Sequence, residues 1–215
     1  MSRAANPTSI RRPQQSRSQA SLERMLNAAR DLLVERGSDD FTLQEVSKQG
    51  EVSIGSIYHR FDSKEDLVRA VLSAAMDEMA ATERTAFVRI LKQADCLAAF
   101  VRGYVTGYAG ILRDNALMLS LAMRQASTDP DSSRTGFQRE KDTADEMARG
   151  ILHFESEIAG DAHAKAHLVF HITFATLARH LSLDTQDPMI EQQDWDELVH
   201  GLADMIIAFL TTEVR

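Results

Sequence analysis

Cysteine is nearly absent from the chain. Cys96 is the only one in 215 residues, so no internal disulfide can form and a disulfide-stapled scaffold is excluded. Proline is scarce as well: Pro7, Pro13, Pro130 and Pro188 are the full set, and residues 14–129 contain none. Long apolar runs are missing. The strongest, residues 116–123 and 205–210, fall well short of the roughly 18–20 residues that span a bilayer. The arginines near the N-terminus are not followed by an apolar stretch, so no secretory signal is expected. Gly-x-Ser-x-Gly, the Walker phosphate-binding pattern and His-Glu-x-x-His do not occur, which leaves no enzyme motif and no catalytic residue to nominate. No repeat of solenoid period is evident. The expectation is a soluble, cytoplasmic, non-enzymatic chain without a cofactor.

What is present is helical. Apolar residues make up 44% of the chain and charged residues 26%, ordinary for a globular protein and incompatible with wholesale disorder. The length lies between one domain and two. Apolar positions recur at three- and four-residue spacing, and no stretch sustains a two-residue alternation. A first helix is expected from about Ser18 to Arg36, with Leu22, Met25, Leu26, Ala29, Leu32 and Leu33 on one face and Gly37 as its stop. Two very short helices follow. Thr42-Leu-Gln-Glu45 has the form of a capping box, in which hydroxyl and carboxylate each satisfy the other residue's amide. Ser53 offers a second cap for a helix over 54–61. Ser63-Lys-Glu-Asp66 then opens a long helix bearing Leu67, Val68, Val71, Leu72, Ala75, Met76 and Met79. Helices average about 11–12 residues, so three capped starts this close cannot each build a core. They must pack steeply on the first helix, which is a helix-turn-helix arrangement.

Charge divides the chain in the same place. Residues 1–69 hold 11 Lys+Arg and 10 Asp+Glu, whereas residues 70–215 hold 13 and 22. Arg3, Arg11, Arg12 and Arg17 fall within the first 20 residues, which contain no acid. A basic arm ahead of an acidic body suits a nucleic-acid contact at one end. Three segments are expected: a flexible basic arm over 1–17, a helix-turn-helix domain over 18–65, and an effector-binding and dimerisation domain over 66–215.

The stretch from Ser21 to Leu72 carries the function. Its succession of helix, glycine, Thr42-Leu-Gln-Glu-Val46, Val52-Ser-Ile-Gly-Ser-Ile-Tyr58, Phe61 and Lys64-Glu65-x-Leu67 resembles the N-terminal DNA-binding module of TetR-family transcriptional regulators. The resemblance implies an all-α homodimer: a three-helix DNA-binding domain with a helix-turn-helix, followed by a larger C-terminal helical bundle. Its partners would be a double-stranded DNA operator and a small-molecule effector, with no membrane. From the residues themselves, Ser53, Ile54, Gly55 and Ser56 begin the third helix, where small side chains let a backbone approach DNA and hydroxyls bond bases or phosphates. Carried over by position, Thr42, Tyr58 and Lys64 are phosphate anchors, and Gln44, Ile54 and Ser56 are base readers. Arg17, Leu43, His59 and Arg60 complete the candidate DNA face.

Leu43 is also assigned, with Val46, Val52, Ile57 and Phe61, to the small core beneath. Tyr58 has a competing role as a ring packed on that core with only its tip wet. Two departures from the family pattern bear on this face. Gly50-Glu51 replaces Ala-Gly in the turn, so either Glu51 takes the left-handed conformation at roughly 1–2 kcal/mol relative to glycine or Gly50 absorbs the strain. Arg60 stands before Phe61 where histidine is common, adding a fixed charge near the phosphates.

Helices over about 93–113, 116–126, 131–158, 162–182 and 194–212 complete the body. The third of these is expected to turn Phe137, Ala144, Met147, Ile151 and Ile158 inward. Asp194-Trp-Asp-Glu197 forms a further capping box, and the last two helices are expected to pair across a dimer. Phe87, Phe100, Tyr104, Tyr108, Met118, Met123, Phe154 and Phe174 are candidate pocket residues, though an ordinary core accounts for such spacing too. Gly103, Gly107 and Gly110 either clear room beside the tyrosines or permit close helix packing. His163, His167 and His171 share one helix face, but a zinc site needs further ligands, so no metal is expected. The competing reading is a helical effector-binding or scaffold protein that does not bind DNA.

Overall fold

The structure is a computed structural model that describes residues 12–182 and 195–213. Nine α-helices are present among the described residues: α1 (Arg12–Arg36), α2 (Leu43–Gln49), α3 (Ile54–Tyr58), α4 (Lys64–Gln93), α5 (Leu97–Asp114), α6 (Ala116–Ala126), α7 (Pro130–Leu152), α8 (Ala162–Ser182) and α9 (Trp195–Thr211). One 3-10 turn, Glu155–Glu157, lies between α7 and α8. No strand occurs among these residues. The fold is all-α. The chain divides into two compact units, with Leu72 ending the first and Ser73 opening the second; α4 contributes residues to both.

In the first unit, Met25, Ala28, Ala29, Leu32 and Leu33 of α1 are buried together with Phe41, Leu43, Val46, Val52, Ile57, Leu67, Val68, Val71 and Leu72. The first helix starts earlier than expected. It reaches back to Arg12, so residues 12–17 of the expected arm are helical, while residues 1–11 lie outside the described residues. Pro13 explains the difference: near a helix start the amide that proline lacks has no intrahelical partner to lose.

The second unit is built on a file of aromatic rings. Phe87 meets Phe100 edge-on at 6.1 Å and Tyr104 at 6.2 Å. Tyr104 stacks on Tyr108 at 5.7 Å, Tyr108 reaches Phe170 at 6.1 Å, and Phe170 stacks on Phe174 at 5.9 Å. Gly150 of α7 makes this packing possible. A Cβ there would lie 2.9 Å from Phe87 Cε2 and collide with the Phe100 ring.

Helix ends in this unit are satisfied by distant groups. Cys96 offers no side-chain cap to α5, and the Glu157 carboxylate accepts from the Leu97 amide at 3.1 Å instead. Buried Lys165 donates to the carbonyls of Phe209 (2.8 Å) and Thr212 (2.7 Å) at the end of α9. There the charge also complements the helix dipole.

Three details of the body differ from expectation. α5 begins at Leu97 rather than near residue 93, because α4 continues through Gln93. α7 ends at Leu152, and Ile158 sits in extended backbone instead of on its inner face. Phe137 is 69% exposed. The first turns of α7 are almost wholly exposed, and burial begins only at Ala144; helical spacing alone cannot show where a long helix gains a neighbour. Asp194 of the expected last capping box lies outside the described residues.

Candidate functional site

The face formed by α2 and α3 is assembled by local caps. At α2 the Thr42 hydroxyl accepts from the Glu45 amide (3.3 Å) and the Glu45 carboxylate accepts from the Thr42 amide (2.8 Å), a complete capping box. Arg36, in the last turn of α1, pairs with the same carboxylate. The Arg36 hydrogen bond, with the Thr42 bonds next, holds Glu45 down at about 2. At α3 the Ser53 hydroxyl accepts from the Ser56 amide at 3.1 Å. At α4 the Ser63 hydroxyl accepts from the Asp66 amide at 3.1 Å. All three sequence-derived caps are formed.

Between α2 and α3 the chain turns on Gly50 and Glu51. Glu51 takes the left-handed conformation, with φ 49°, so the strain falls on it. Gly50 keeps a right-handed conformation. Its lack of a side chain serves contact instead: a Cβ would lie 2.9 Å from the Arg24 carbonyl oxygen and 3.3 Å from Ala28 Cβ on α1. Ser47 clamps the turn, its hydroxyl donating to the Val52 carbonyl at 2.6 Å and its carbonyl accepting from the Val52 amide at 3.1 Å. No sequence pattern flagged Ser47, since its partner is five residues away in an irregular turn.

The candidate DNA residues divide sharply by exposure. Thr42, Gln44, Ser53, Gly55, Tyr58, His59 and Arg60 are exposed, and Ile54, Ser56 and Lys64 are partly so. Tyr58 is 56% exposed, which is too much for a ring laid on the core. Leu43 is buried and holds only its core role. Gly55 has nothing of the protein within 4 Å of where a Cβ would stand. Arg17 is in α1, and its side chain lies outside the described residues. Two cations on this side are engaged within the protein. Arg60 donates to the Ser18 carbonyl at 2.7 Å, which ties its guanidinium to α1. Lys64 donates to the Asp39 carbonyl at 2.7 Å and stands over the Phe41 ring at 5.6 Å.

In the second unit the pocket candidates Phe87, Phe100, Tyr104, Tyr108, Met118 and Phe154 are buried. Phe174 is partly exposed on the end of the ring file. Met123 is 41% exposed and does not belong with them: it follows the buried Leu121 on the outer side of α6. A Cβ on Gly103 would meet Ile90 at 3.0 Å and one on Gly107 would meet it at 3.2 Å, so these two glycines admit an α4 side chain against α5. Gly110 has no such neighbour.

An acidic side chain that no sequence pattern flagged acts electrostatically on the tyrosines. Glu83 of α4 is partly buried and, among the described residues, accepts from the Thr143 hydroxyl at 3.3 Å. Burial pushes its carboxyl up to about 7. His163, His167 and His171 are exposed along α8. Among the described residues no group of three or more His, Cys, Asp or Glu is placed to hold a metal.

In kind, then, the chain is an all-α protein with a tightly capped helix-turn-helix ahead of a larger helical body. Residues 25–71 match the sequence model for bacterial regulatory proteins of the tetR family, so this module is similar to the DNA-binding module of that family. Over 58 residues it is 36% identical to the HTH-type transcriptional regulator UidR of Escherichia coli K12, a match covering 27% of this chain and 30% of UidR. The chain thus matches less than a third of that curated relative's length.

The fold extends further than the sequence match. A transcriptional regulator from Cytophaga hutchinsonii superposes with a TM-score of 0.67 at 19% identity, covering 90% of this chain and all of the other. FadR from Bacillus subtilis, solved in complex with stearoyl-CoA, gives 0.65 at 16% identity, covering 87% and 98%. At such identities the likeness is one of fold. These relatives are described as regulators, none as an enzyme.

Proposed function

We propose that the chain is a sequence-specific DNA-binding transcriptional regulator, a ligand-responsive repressor that acts as a cytoplasmic homodimer on a palindromic operator. The observation that carries this reading is the split within α2 and α3. Leu43, Val46 and Ile57 are buried, while Gln44, Ser53, Gly55 and Tyr58 stand clear. Gly55 has no neighbour within the protein that excludes a methyl group, which fits a backbone kept bare for a partner. Thr42 and Tyr58 serve as phosphate anchors, and Gln44, Ile54 and Ser56 face the base edges in the major groove. Gln44 pairs with an adenine edge, and Ile54 packs on a thymine methyl.

Dimerisation is supported by the outer faces of α8 and α9. Leu168, Ile172 and Met205 are exposed there at 46%, 38% and 62%, and Gly201 and Ala208 are open or partly open beside Met205. A two-fold pair sets the two reading helices about 34–36 Å apart, one turn of DNA. The effector reading is supported by FadR, whose similar fold holds stearoyl-CoA. An effector in the helical body shifts α4 and with it the spacing of the reading heads. Couplings of this kind are typically about 1–3 kcal/mol, enough to release an operator. No described helix is long and apolar enough to cross a membrane.

Selection of bound duplexes from a random pool, followed by anisotropy titrations at two salt concentrations, tests the reading. A palindromic consensus with steeply salt-dependent binding is expected. A chain that sediments as a monomer, or that enriches no sequence at low ionic strength, would leave the scaffold alternative standing.

A further inference from the structure

Between Asp77 and Ala86 no side chain of α4 is buried, and none of α7 is buried before Ala144. Two polar contacts nevertheless join these stretches. The Arg139 guanidinium donates through its Nη2 to the Ser73 hydroxyl at 3.0 Å and to the Asp77 carboxylate at 2.8 Å. One turn farther along α7, the Thr143 hydroxyl reaches the Glu83 carboxylate at 3.3 Å.

Ser73 and Asp77 are four residues apart, so they lie on one face of α4 in successive turns. One guanidinium therefore grips two turns at once, and both acceptors are within ordinary hydrogen-bond distance. Its planar fork gives the contact a direction that an ammonium would lack. The Arg139 side chain is 27% exposed and that of Asp77 69%, and an ion pair so open to water adds little to stability. What matters is where it sits. Ser73 opens the second unit directly after Leu72 of the first, and α4 runs through both without a break. Ala75 and Met76 are buried close by in the sequence, but apolar contact is non-directional and leaves the tilt of the helix to the hydrogen bonds.

We propose that Arg139 is a positioning residue for operator recognition: it fixes the direction of α4 at Ser73 and thereby the half-site spacing that the dimer accepts, an inference that rests on the reading of the chain as a dimeric regulator. Leu67, Val68, Val71 and Leu72 anchor the start of α4 in the core of the first unit, so α2 and α3 follow that helix as it tilts. Lys64 begins α4, and at 1.5 Å per residue it lies roughly 14 Å along the axis from Ser73. At that radius a tilt of roughly 15° moves the helix start by about 3.5 Å, close to the step of about 3.4 Å between base pairs. A small loss of direction at Ser73 thus equals a whole base pair of spacing at the DNA.

The test uses the full chain, the palindromic duplex selected from the random pool, and the same duplex with one base pair inserted at or removed from its centre. The parent is expected to prefer its own spacing at least ten-fold over either. Arg139→Met keeps the stem and removes both bonds. It should retain the parent's thermal midpoint and its affinity for a single half-site, while the spacing preference falls at least three-fold. Asp77→Asn removes the ion pair from the α4 side and should give a smaller loss of the same kind; it decides by the same ratio should Arg139→Met melt below the assay temperature. Exchanging the pair, Arg139→Asp with Asp77→Arg, should restore part of the preference. A merely structural role would lower the midpoint and every affinity together and leave their ratio unmoved. A spacing preference unchanged from the parent's, or affinity lost equally on all three duplexes, overturns the assignment and leaves the regulator standing. A parent that binds no duplex, or that ignores spacing, overturns the reading beneath it.

Discussion

Gly55 and Gly150 are both helical glycines, one in each unit, and they are glycine for opposite reasons. A Cβ on Gly55 would meet nothing of the protein within 4 Å, whereas one on Gly150 would collide with two phenylalanine rings. The same contrast runs through everything around them. The first unit hides a small core and presents hydroxyls, an amide and a phenol outward. The second turns its chemistry inward, with two buried phenols in a file of aromatic rings. One unit is shaped for an external surface, the other around an internal one. Substitutions at corresponding positions in the two units should therefore fail in different ways.

The largest effect is expected at Gly150→Ala. The added methyl has no room between Phe87 and Phe100, and overpacking of this kind costs about 3 kcal/mol. A lowered thermal midpoint of the second unit, followed by near-ultraviolet circular dichroism, should report it. Unchanged melting would mean that the ring file is looser than described and that the inward-facing half of the comparison is wrong.

Next is Glu83→Gln, where the sign depends on pH. The carboxyl is raised by burial from 4.5 to about 7. Between those values the unfolded chain has lost the proton and the folded chain keeps it, so stability falls as pH rises through this window. Glutamine has no proton to lose. The variant should match the parent near pH 4 and exceed it by about 2 kcal/mol at pH 8, as measured by urea unfolding at the two pH values. A parent whose stability is flat across the window would show Glu83 to be well solvated.

These two residues also mark what the sequence could not reveal. Thr42 with Glu45, Ser53 with Ser56 and Ser63 with Asp66 are three residues apart, and each cap was legible because its partners are neighbours in the chain. The apolar face of α1 was legible for the same reason. Gly150 and Phe100 are brought together only by the packing of α7 on α5, and Glu83 meets Thr143 only by the packing of α4 on α7. Phe137 shows the converse, a residue in register with the buried Ala144 and Ala148 on α7 that is itself 69% exposed. Helical period tells which side chains share a face, but not where along a 23-residue helix that face acquires a partner.

A smaller effect, of opposite sign, is expected in the turn. Glu51 holds φ at 49°, a conformation that costs roughly 1–2 kcal/mol in any residue with a Cβ on the left-handed side of the map. Glu51→Gly should recover about 1 kcal/mol after glycine's greater unfolded-state freedom is deducted. The thermal midpoint should rise while the reading face stays intact, so DNA affinity is expected to hold or improve slightly. A loss of affinity would mean that the Glu51 side chain, exposed beside α3, is itself part of the contact.

Smallest of all in stability, and the most discriminating, is Gly55→Ala. With open space around the new methyl and alanine's better helix propensity, the change should stay within about 0.5 kcal/mol and lean towards stabilisation. On the proposed reading the same methyl stands between α3 and the DNA backbone, so operator affinity should fall at least ten-fold. The scaffold itself does not require glycine here, because Ser53 already caps the helix and Ile57 makes its core contact. A variant that melts like the parent and releases DNA would separate surface from scaffold within five residues. One that melts like the parent and binds as tightly would show that the bare backbone at α3 faces water alone, and the outward half of the comparison would lose its physical basis.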